Sequence, residues 1–403
     1  MKVTATCQSG SLEGNSKTAQ AVGALLCCLL VSGCKTPKEP ELGEPLAELT
    51  PEQQAQFRAG QDVFDRVFTP ETGLGPLFNS VSCAECHEDP VRGGTGDEVE
   101  VHATRFTSPG ACDELFDKGG PVIQQDATEL LKAIGILKEQ VPAKAAQARR
   151  STPPLFGFGL VDGIPDSTIL SHEDPYDRDH NGISGRANRA IDGRVGRFGR
   201  KAAVATLFDF NAGAFPQEQG VTTPLSPVEE TINGTPVPPE TDPARDPEIP
   251  LADIEKVTAF TRFLAPPPRQ HFTNFLDAHL ARRGERLFAE LKCAVCHVPK
   301  MKTGPSPIKA LDRKTVALYS DLLVHDMGPA LTDICLGQAL PSEFRTEMLM
   351  GLRFREHFLH DGSAESVEEA IERHGGEAAR SRDKFKALDK KDKKALLKFL
   401  ETL

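Results

Sequence analysis

The chain has 403 residues, enough for two or three domains of ordinary size. With 39% apolar and 26% charged residues it describes a soluble globular protein. Its formal charge of −11 argues against nucleic acid and leaves a basic partner, such as a small electron-carrier protein, as the electrostatic counterpart.

The most apolar stretch, Ala21–Gly33, is too short to cross a bilayer and has the length of a signal-peptide core, so residues 1–33 read as an export signal. Val31-Ser32-Gly33-Cys34 puts small residues before a cysteine. This predicts a lipoprotein-type signal, a lipid on Cys34 and a periplasmic, membrane-anchored product, with a plain signal and a stray cysteine as the alternative. Only Lys2 and Lys17 are basic ahead of Ala21, and the length of that segment leaves open a true start downstream of Met1. Residues 34–49, rich in Pro and Glu, predict a flexible tether.

Residues 50–221 open with Gly60-x-x-x-Phe64 on an amphipathic stretch, followed by Cys83-Ala84-Glu85-Cys86-His87. Residues 222–250, dense in Pro, Thr, Glu and Asp, predict a long irregular connection. Residues 251–403 begin with a helix-like segment, Ile254–Leu264, stopped by Pro266-Pro267-Pro268. They then repeat the earlier pattern as Gly284-x-x-x-Phe288 and Cys293-Ala294-Val295-Cys296-His297. The stretch Arg150–Gly157 is echoed by Arg345–Gly351, which predicts two homologous units in tandem. Strand signals are sparse and helix signals good. Ser366-Val367-Glu368-Glu369 is a capping box for a helix that Gly375-Gly376 stops, and Leu396, Phe399, Leu400 and Leu403 form an apolar stripe.

Cys-x-x-Cys-His is the spacing of haem attachment: two thiols add across the porphyrin vinyl groups and the adjacent His offers a nitrogen to iron. A zinc site would need further Cys or His close by, and a redox dithiol would not need His in both copies. Two covalently bound haem c groups are therefore expected, one on Cys83, Cys86 and His87 and one on Cys293, Cys296 and His297. Cys7, Cys27 and Cys28 leave with the signal and Cys34 takes lipid. The two left over, Cys112 and Cys335, are expected to pair in an oxidising compartment. The expected fold is mainly α, with two tandem cytochrome c-type haem domains and long irregular loops.

On the capped helix Val367, Ala370, Ile371 and His374 share one face, which turns His374 toward the apolar interior and makes it the expected sixth ligand of the C-terminal haem. Met327, a thioether, is the competitor. Matching Leu207 to Val367 puts Ala214 where His374 stands, so the N-terminal haem is expected to keep an open face unless His102 covers it. Glu218 follows, placed to take a proton from one peroxide oxygen and return it to the other; a solvated loop glutamate is the bland alternative. Asp177, Asp179 and Asn181, ahead of Gly182, resemble the first half of a calcium loop, although Asn188 stands where its final acid would be. An ordinary acidic turn is the competing reading.

These residues resemble the dihaem oxidoreductase family, sometimes called thiol oxidoreductases, related to bacterial dihaem cytochrome c peroxidases. The resemblance rests on residues 78–94, 151–166 and 181–215 and, most specifically, on LLVHDMG at 322–328 and FLHDGSAESVEEAIERHGGEA at 358–378. It covers most of residues 50–403 and implies two cytochrome c domains with a peroxidase-like interface. In the peroxidases the residue fourteen places after the His of the HDG motif is a methionine ligand, and the same count from His360 lands on His374. The family's acid near the N-terminal haem maps onto Glu218, and His102 is the nearest counterpart of a loop histidine that covers that haem. The chain has no Trp, so the indole found between the haems of relatives is missing. Histidine in place of methionine implies a lower potential at the second haem, because imidazole favours ferric iron. The resemblance implies an enzyme in which the C-terminal haem relays electrons, from a small cytochrome or copper protein, to an N-terminal haem that reduces an oxidant such as hydrogen peroxide. The alternatives are a non-catalytic electron-transfer lipoprotein with both haems six-coordinate, and oxidation of a thiol or protein side chain.

Overall fold

The structure, a computed structural model, describes residues 39–108 and 111–403. The export signal and the lipid site at Cys34 lie outside the described residues. In chain order the helices are α1 (Pro51–Phe64), α2 (Cys83–Cys86), α3 (Glu129–Ala133), α4 (Phe158–Asp162), α5 (Asp166–Leu170), α6 (Leu207–Ala214) and α7 (Leu251–Phe263). They continue with α8 (Phe275–Glu290), α9 (Cys293–Cys296), α10 (Val367–Arg373), α11 (Ala379–Lys386) and α12 (Lys390–Leu400). None is long and apolar enough to cross a membrane.

Thr50 starts α1: its hydroxyl accepts from the Gln53 backbone N–H while the Gln53 side chain accepts from the Thr50 N–H, with Pro51 at the first position. The helix buries Phe57, Gly60, Val63 and Phe64. Gly60 lets it come close to α7, because a Cβ there would strike the Lys256 carbonyl and the Phe260 side chain. The Phe57 and Phe64 rings then sit 5.0 and 4.8 Å from Phe260.

The second half reproduces this crossing. Gly284 of α8 meets the Ala395 carbonyl and Phe399 of α12, with Phe288 5.4 Å from Phe399. Since α7 stands to α1 as α12 stands to α8, α7 closes the first unit. The boundary expected at residue 251 is therefore misplaced, and α7 does not open the second unit. The expected stripe on α12 is buried throughout, at Leu396, Phe399, Leu400 and Leu403.

A second correction concerns the tether. Residues 39–49 are laid on the protein: the Leu46 N–H donates to the Phe263 carbonyl, Leu49 is buried, and Glu48 pairs with Lys309 and Lys314. Three leucines in that stretch have apolar surface to bury, and Leu42 and Leu46 pack against the main core.

The fold is also less helical than expected, with helix at 34% and strand at 15% of the described residues. A sheet inserted after α2 pairs Val99–Ser108 antiparallel with Ala146–Ser151, and flanks it with Val122–Ile123 and Ala111–Asp113. Within 222–250 a two-residue hairpin, Thr231–Ile232 on Thr235–Pro236, interrupts an otherwise irregular path. Cys112 at the sheet edge forms the expected disulfide with Cys335, 223 residues away.

Candidate haem sites

α2 and α9 are single turns that present their two cysteines and hand the chain to a histidine at the C-cap. Ser82 caps α2 by accepting from the Glu85 N–H, whereas α9 begins at Lys292 in a left-handed conformation. In both copies the histidine Nδ1 points to a backbone carbonyl, His87 to Gly94 at 3.1 Å and His297 to Tyr319 at 3.0 Å. Such a bond fixes the ring and leaves Nε2 for a metal. In both, a helix phenylalanine stands beside the imidazole: Phe64 is 6.1 Å from His87 and Phe288 6.2 Å from His297.

Burial pushes the Cys83 thiol up to about 12 and Cys293 to about 11, so neither is the low-pKa thiolate of a redox dithiol. Burial pushes His297 down to about 4 with help from the neighbouring His374, and it lowers His87 and His374 as well. All three are therefore neutral imidazoles, the form that binds metal.

A large apolar cavity opens beside Cys293, Cys296 and His297, lined on its far side by Val367, Ala370, Ile371 and His374. These are the four residues that the helical period places on one face. Ser366 caps α10 by accepting from the Glu369 N–H, but the Glu369 carboxylate turns to the Glu365 N–H, so only half of the expected capping box forms. His374 is the C-cap, with its Nδ1 2.7 Å from the Ala370 carbonyl. Its ring centre lies 6.5 Å from that of His297. Two metal–nitrogen bonds of about 2 Å, with about 1 Å from each nitrogen to its ring centre, require a little over 6 Å, so one iron fits between them. Met327 also lines the cavity, but on a strand-edge segment whose N–H is tied to the Ser342 carbonyl.

α6 repeats α10 in detail. Thr206 caps it through the Asp209 N–H, and the turn before it, bridged Phe198 to Val204, matches Phe358 to Ala364. Both turns use left-handed residues in the same places, Gly199 and Ala202 against Leu359 and Gly362. At the end of α6 the counterpart of His374 is Ala214, after which the chain widens into a π turn, Phe215–Gln219.

That turn carries Glu218, whose Oε2 accepts from the Asn79 amide at 3.1 Å. Burial, and then the charge of Glu100, push its carboxyl well above the ordinary range. Glu100 was not singled out by sequence. It sits on the strand Val99–Ser108, where, against the cost of burial, the hydrogen bond with His102 at 2.9 Å holds it low. The alternation of Val99, Val101 and Ala103 was the available signal, since it turns Glu100 and His102 to the same side.

Sequence reading also missed three buried arginines. Arg200, Arg345 and Arg355 converge on Glu347 at 2.8, 3.0 and 2.9 Å and line the C-terminal cavity. His325 is clamped between Asp321 and Glu377 at 2.8 Å each, with its Nδ1 3.8 Å from the Cys296 sulfur. Against the cost of burial, the hydrogen bonds with Asp321 and Glu377 raise its imidazole well above the ordinary value, which opposes a cation in the Cys296–Asp321–His325 group.

The loop at Asp177 gathers Asp174, Asp177 and Asp179 rather than Asp177, Asp179 and Asn181. Asn181 donates its amide to Asp179, and backbone N–H groups of Arg178 and Gly182 occupy Asp174 and Asp177. A carboxylate oxygen from each of Asp174, Asp177 and Asp179 lies within 4.8 Å of the others, and Asp174 Oδ1 is buried without a hydrogen-bond partner.

Residues 95–403 match the family described as "Di-haem oxidoreductase, putative peroxidase". The chain belongs to the di-haem oxidoreductase family. Membership implies haem cofactors, and the match begins just after the first Cys-x-x-Cys-His motif. No curated protein matches the sequence. Among solved structures the chain is similar to a hydrazine synthase of Kuenenia stuttgartiensis, with 14% identity, 97% of this chain and 100% of that chain covered, and a TM-score of 0.41. It is similar to the diheme peroxidase BthA of Burkholderia thailandensis at 15% identity, with coverages of 87% and 86% and a TM-score of 0.39. A MauG-like protein associated with microbial copper homeostasis gives 15%, 91%, 94% and 0.38 in the same order. None of these likenesses carries a residue's role to this chain.

Proposed function

We propose that this di-haem oxidoreductase is an exported c-type cytochrome with peroxidase-like activity. Cys83, Cys86 and His87 hold the haem that meets the oxidant, and Cys293, Cys296 and His297 hold the haem that stores and relays electrons. The observation that carries the reading is the contrast between His374, facing His297 at 6.5 Å, and Ala214 at the matching end of α6. Haem supplies one-electron chemistry at its iron. The chain supplies the rest. Backbone carbonyls of Gly94 and Tyr319 orient the two proximal imidazoles, and His374 occupies the far side of the C-terminal site. On the N-terminal side Glu218 holds a proton beside the charged Glu100, so the pair can give one proton and take one back while the bond between two peroxide oxygens is cleaved. Export through residues 1–33 and a lipid on Cys34 belong to the same proposal.

The competing electron-transfer lipoprotein would need His102 as a ligand, and His102 is engaged by Glu100. Paramagnetic-resonance spectra of the ferric protein test the reading. Expected are one low-spin haem with two imidazoles and one high-spin haem, with His374→Ala converting the low-spin component alone. Two low-spin haems in the unmodified protein would favour the electron carrier.

A further inference from the structure

The wall of the C-terminal cavity holds more positive charge than the protein balances. Arg200, Arg345 and Arg355 line it with side chains no more than 10% exposed. Among the described residues Glu347 is the only acid paired with any of them. Glu377, the other acid lining the cavity, is taken by His325 and Ser184. Two of the three guanidinium charges are therefore left without a carboxylate. A guanidinium does not shed its proton in a protein, so a buried one needs an anion.

The three arginines are not equivalent. Arg345 is spent, since its Nε donates to the Gly199 carbonyl, its Nη1 to the Thr346 carbonyl and its Nη2 to Glu347. Arg200 gives Nη2 to the Ser151 carbonyl and hydroxyl and sets Nη1 against Glu347. Arg355 sets Nη2 against the Met348 carbonyl and Glu347, and among the described residues its Nη1 has no hydrogen-bond partner. Arg200 and Arg355 also border a smaller cavity with Asp89, Thr95 and Asp97, in the loop that follows His87, and neither acid is ion-paired with them among the described residues. The same two side chains thus touch the surroundings of both haem motifs. Arg200 stands on the turn before α6, so the first repeat contributes a cation to the cavity of the second.

A haem entering an apolar cavity brings two carboxylates, its propionates. We infer that Arg200 and Arg355 bind the propionates of the C-terminal haem, with Arg345 fixing Glu347, the carboxylate that both of them share. A planar guanidinium fork meets a carboxylate through two parallel N–H bonds, which suits arginine to this wall better than lysine. Of the other long cations lining the cavity, Lys292 is exposed, and Arg382 is taken by Asp383 and the His374 carbonyl. Positive charge held beside a haem favours its ferrous form, which offsets the lowering of potential that a second imidazole imposes. The inference rests on the reading that Cys293, Cys296 and His297 hold a haem here.

The test uses holoprotein from cells fed 5-aminolevulinate with carbon-13 in its carboxyl group, which labels the propionate carboxylates of the haems. Reduced-minus-oxidised infrared spectra, taken at potentials where only the C-terminal haem changes state, report its propionates. Arg200→Gln and Arg355→Gln should each move the labelled carboxylate bands. Each should also lower the ferrous-to-ferric ratio of that haem about tenfold at a fixed potential, a shift of about 59 mV for one electron. Where a Gln variant does not retain both haems, the matching Arg→Lys variant, which keeps the charge and loses the fork, should move the bands with a smaller change in potential. Labelled bands that stay put in the variants overturn the inference. So does a potential that added phosphate shifts in the native protein and not in the variants, since the arginines would then hold a free anion. Native protein without haem on Cys293 and Cys296, seen by peptide mass spectrometry, would overturn the underlying reading, an outcome distinct from unmoved bands in a dihaem protein.

Discussion

Glu347 is one carboxylate among three buried guanidiniums, and they hold it well below the ordinary glutamate value of 4.5 despite its burial. A carboxylate with a lowered folded value stabilises the fold above its unfolded value and loses that contribution as pH falls toward and below the folded one. Glu347→Gln leaves Arg200, Arg345 and Arg355 facing each other and should cost about 3 kcal/mol in urea unfolding at pH 7. The difference from the native protein should shrink as pH drops below 4; an unchanged midpoint at neutral pH would show that another anion balances the arginines. Glu218 belongs to the same scale. Glu218→Gln keeps the hydrogen bond with Asn79 but cannot pass a proton, so peroxide turnover should fall by about 100-fold or more with both haems bound. A native rate would make Glu218 a bystander.

At the scale of elements, two crossings carry the helical framework, each at a glycine. Gly284→Ala would drive a Cβ into the Ala395 carbonyl, and Gly60→Ala into that of Lys256. Each should lower stability by about 1–3 kcal/mol in thermal or urea unfolding, as overpacked contacts do. If either variant is as stable as the native protein, the two crossings are not the close contacts that define the repeated unit. The connection 222–250 behaves differently, because it gathers six acids against the single cation Arg245. Burial, followed by the charges of Glu248 and neighbouring acids, pushes Glu229 up to about 9, and burial raises Glu230 and Glu248 to about 7. A carboxyl raised in the folded state binds protons that the unfolded chain has released, so stability falls as pH rises between the two values. The thermal midpoint should therefore decline from pH 5 to 8, and Glu229→Gln should flatten the decline. A midpoint that rises over that range would contradict the assignment.

For the whole molecule, the two halves are tied by a disulfide and by buried charge. Asp333 receives Arg150 at 2.5 Å, Lys201 at 2.9 Å and His360 at 3.4 Å, bringing residues from the inserted sheet, the first repeat and the HDG segment to one carboxylate. Cys335 follows two residues later and pairs with Cys112. A cross-link spanning 223 residues restricts the unfolded chain strongly. Replacing both cysteines by serine should cost roughly 2–5 kcal/mol in urea unfolding while both haems remain attached. Equal stability with and without the bond would mean that the Asp333 network alone holds the halves together.

The sequence by itself determined whatever a local spacing encodes. The two Cys-x-x-Cys-His turns, the helix face carrying His374, the stripe on α12 and the pairing of Cys112 with Cys335 were all legible, because haem attachment, the helical period and cysteine counting leave few options. What crosses the chain was decided only by tertiary structure. α7 reads like the first helix of the second half, and nothing local says that Phe260 will meet Gly60 rather than Gly284. Residues 39–49 read as a tether because their leucines are scattered among Pro and Glu, and only the docked surface reveals them as packed. Arg200, Arg345, Arg355 and Glu347 are unremarkable in sequence and become a cluster because two repeats bring them to one cavity wall.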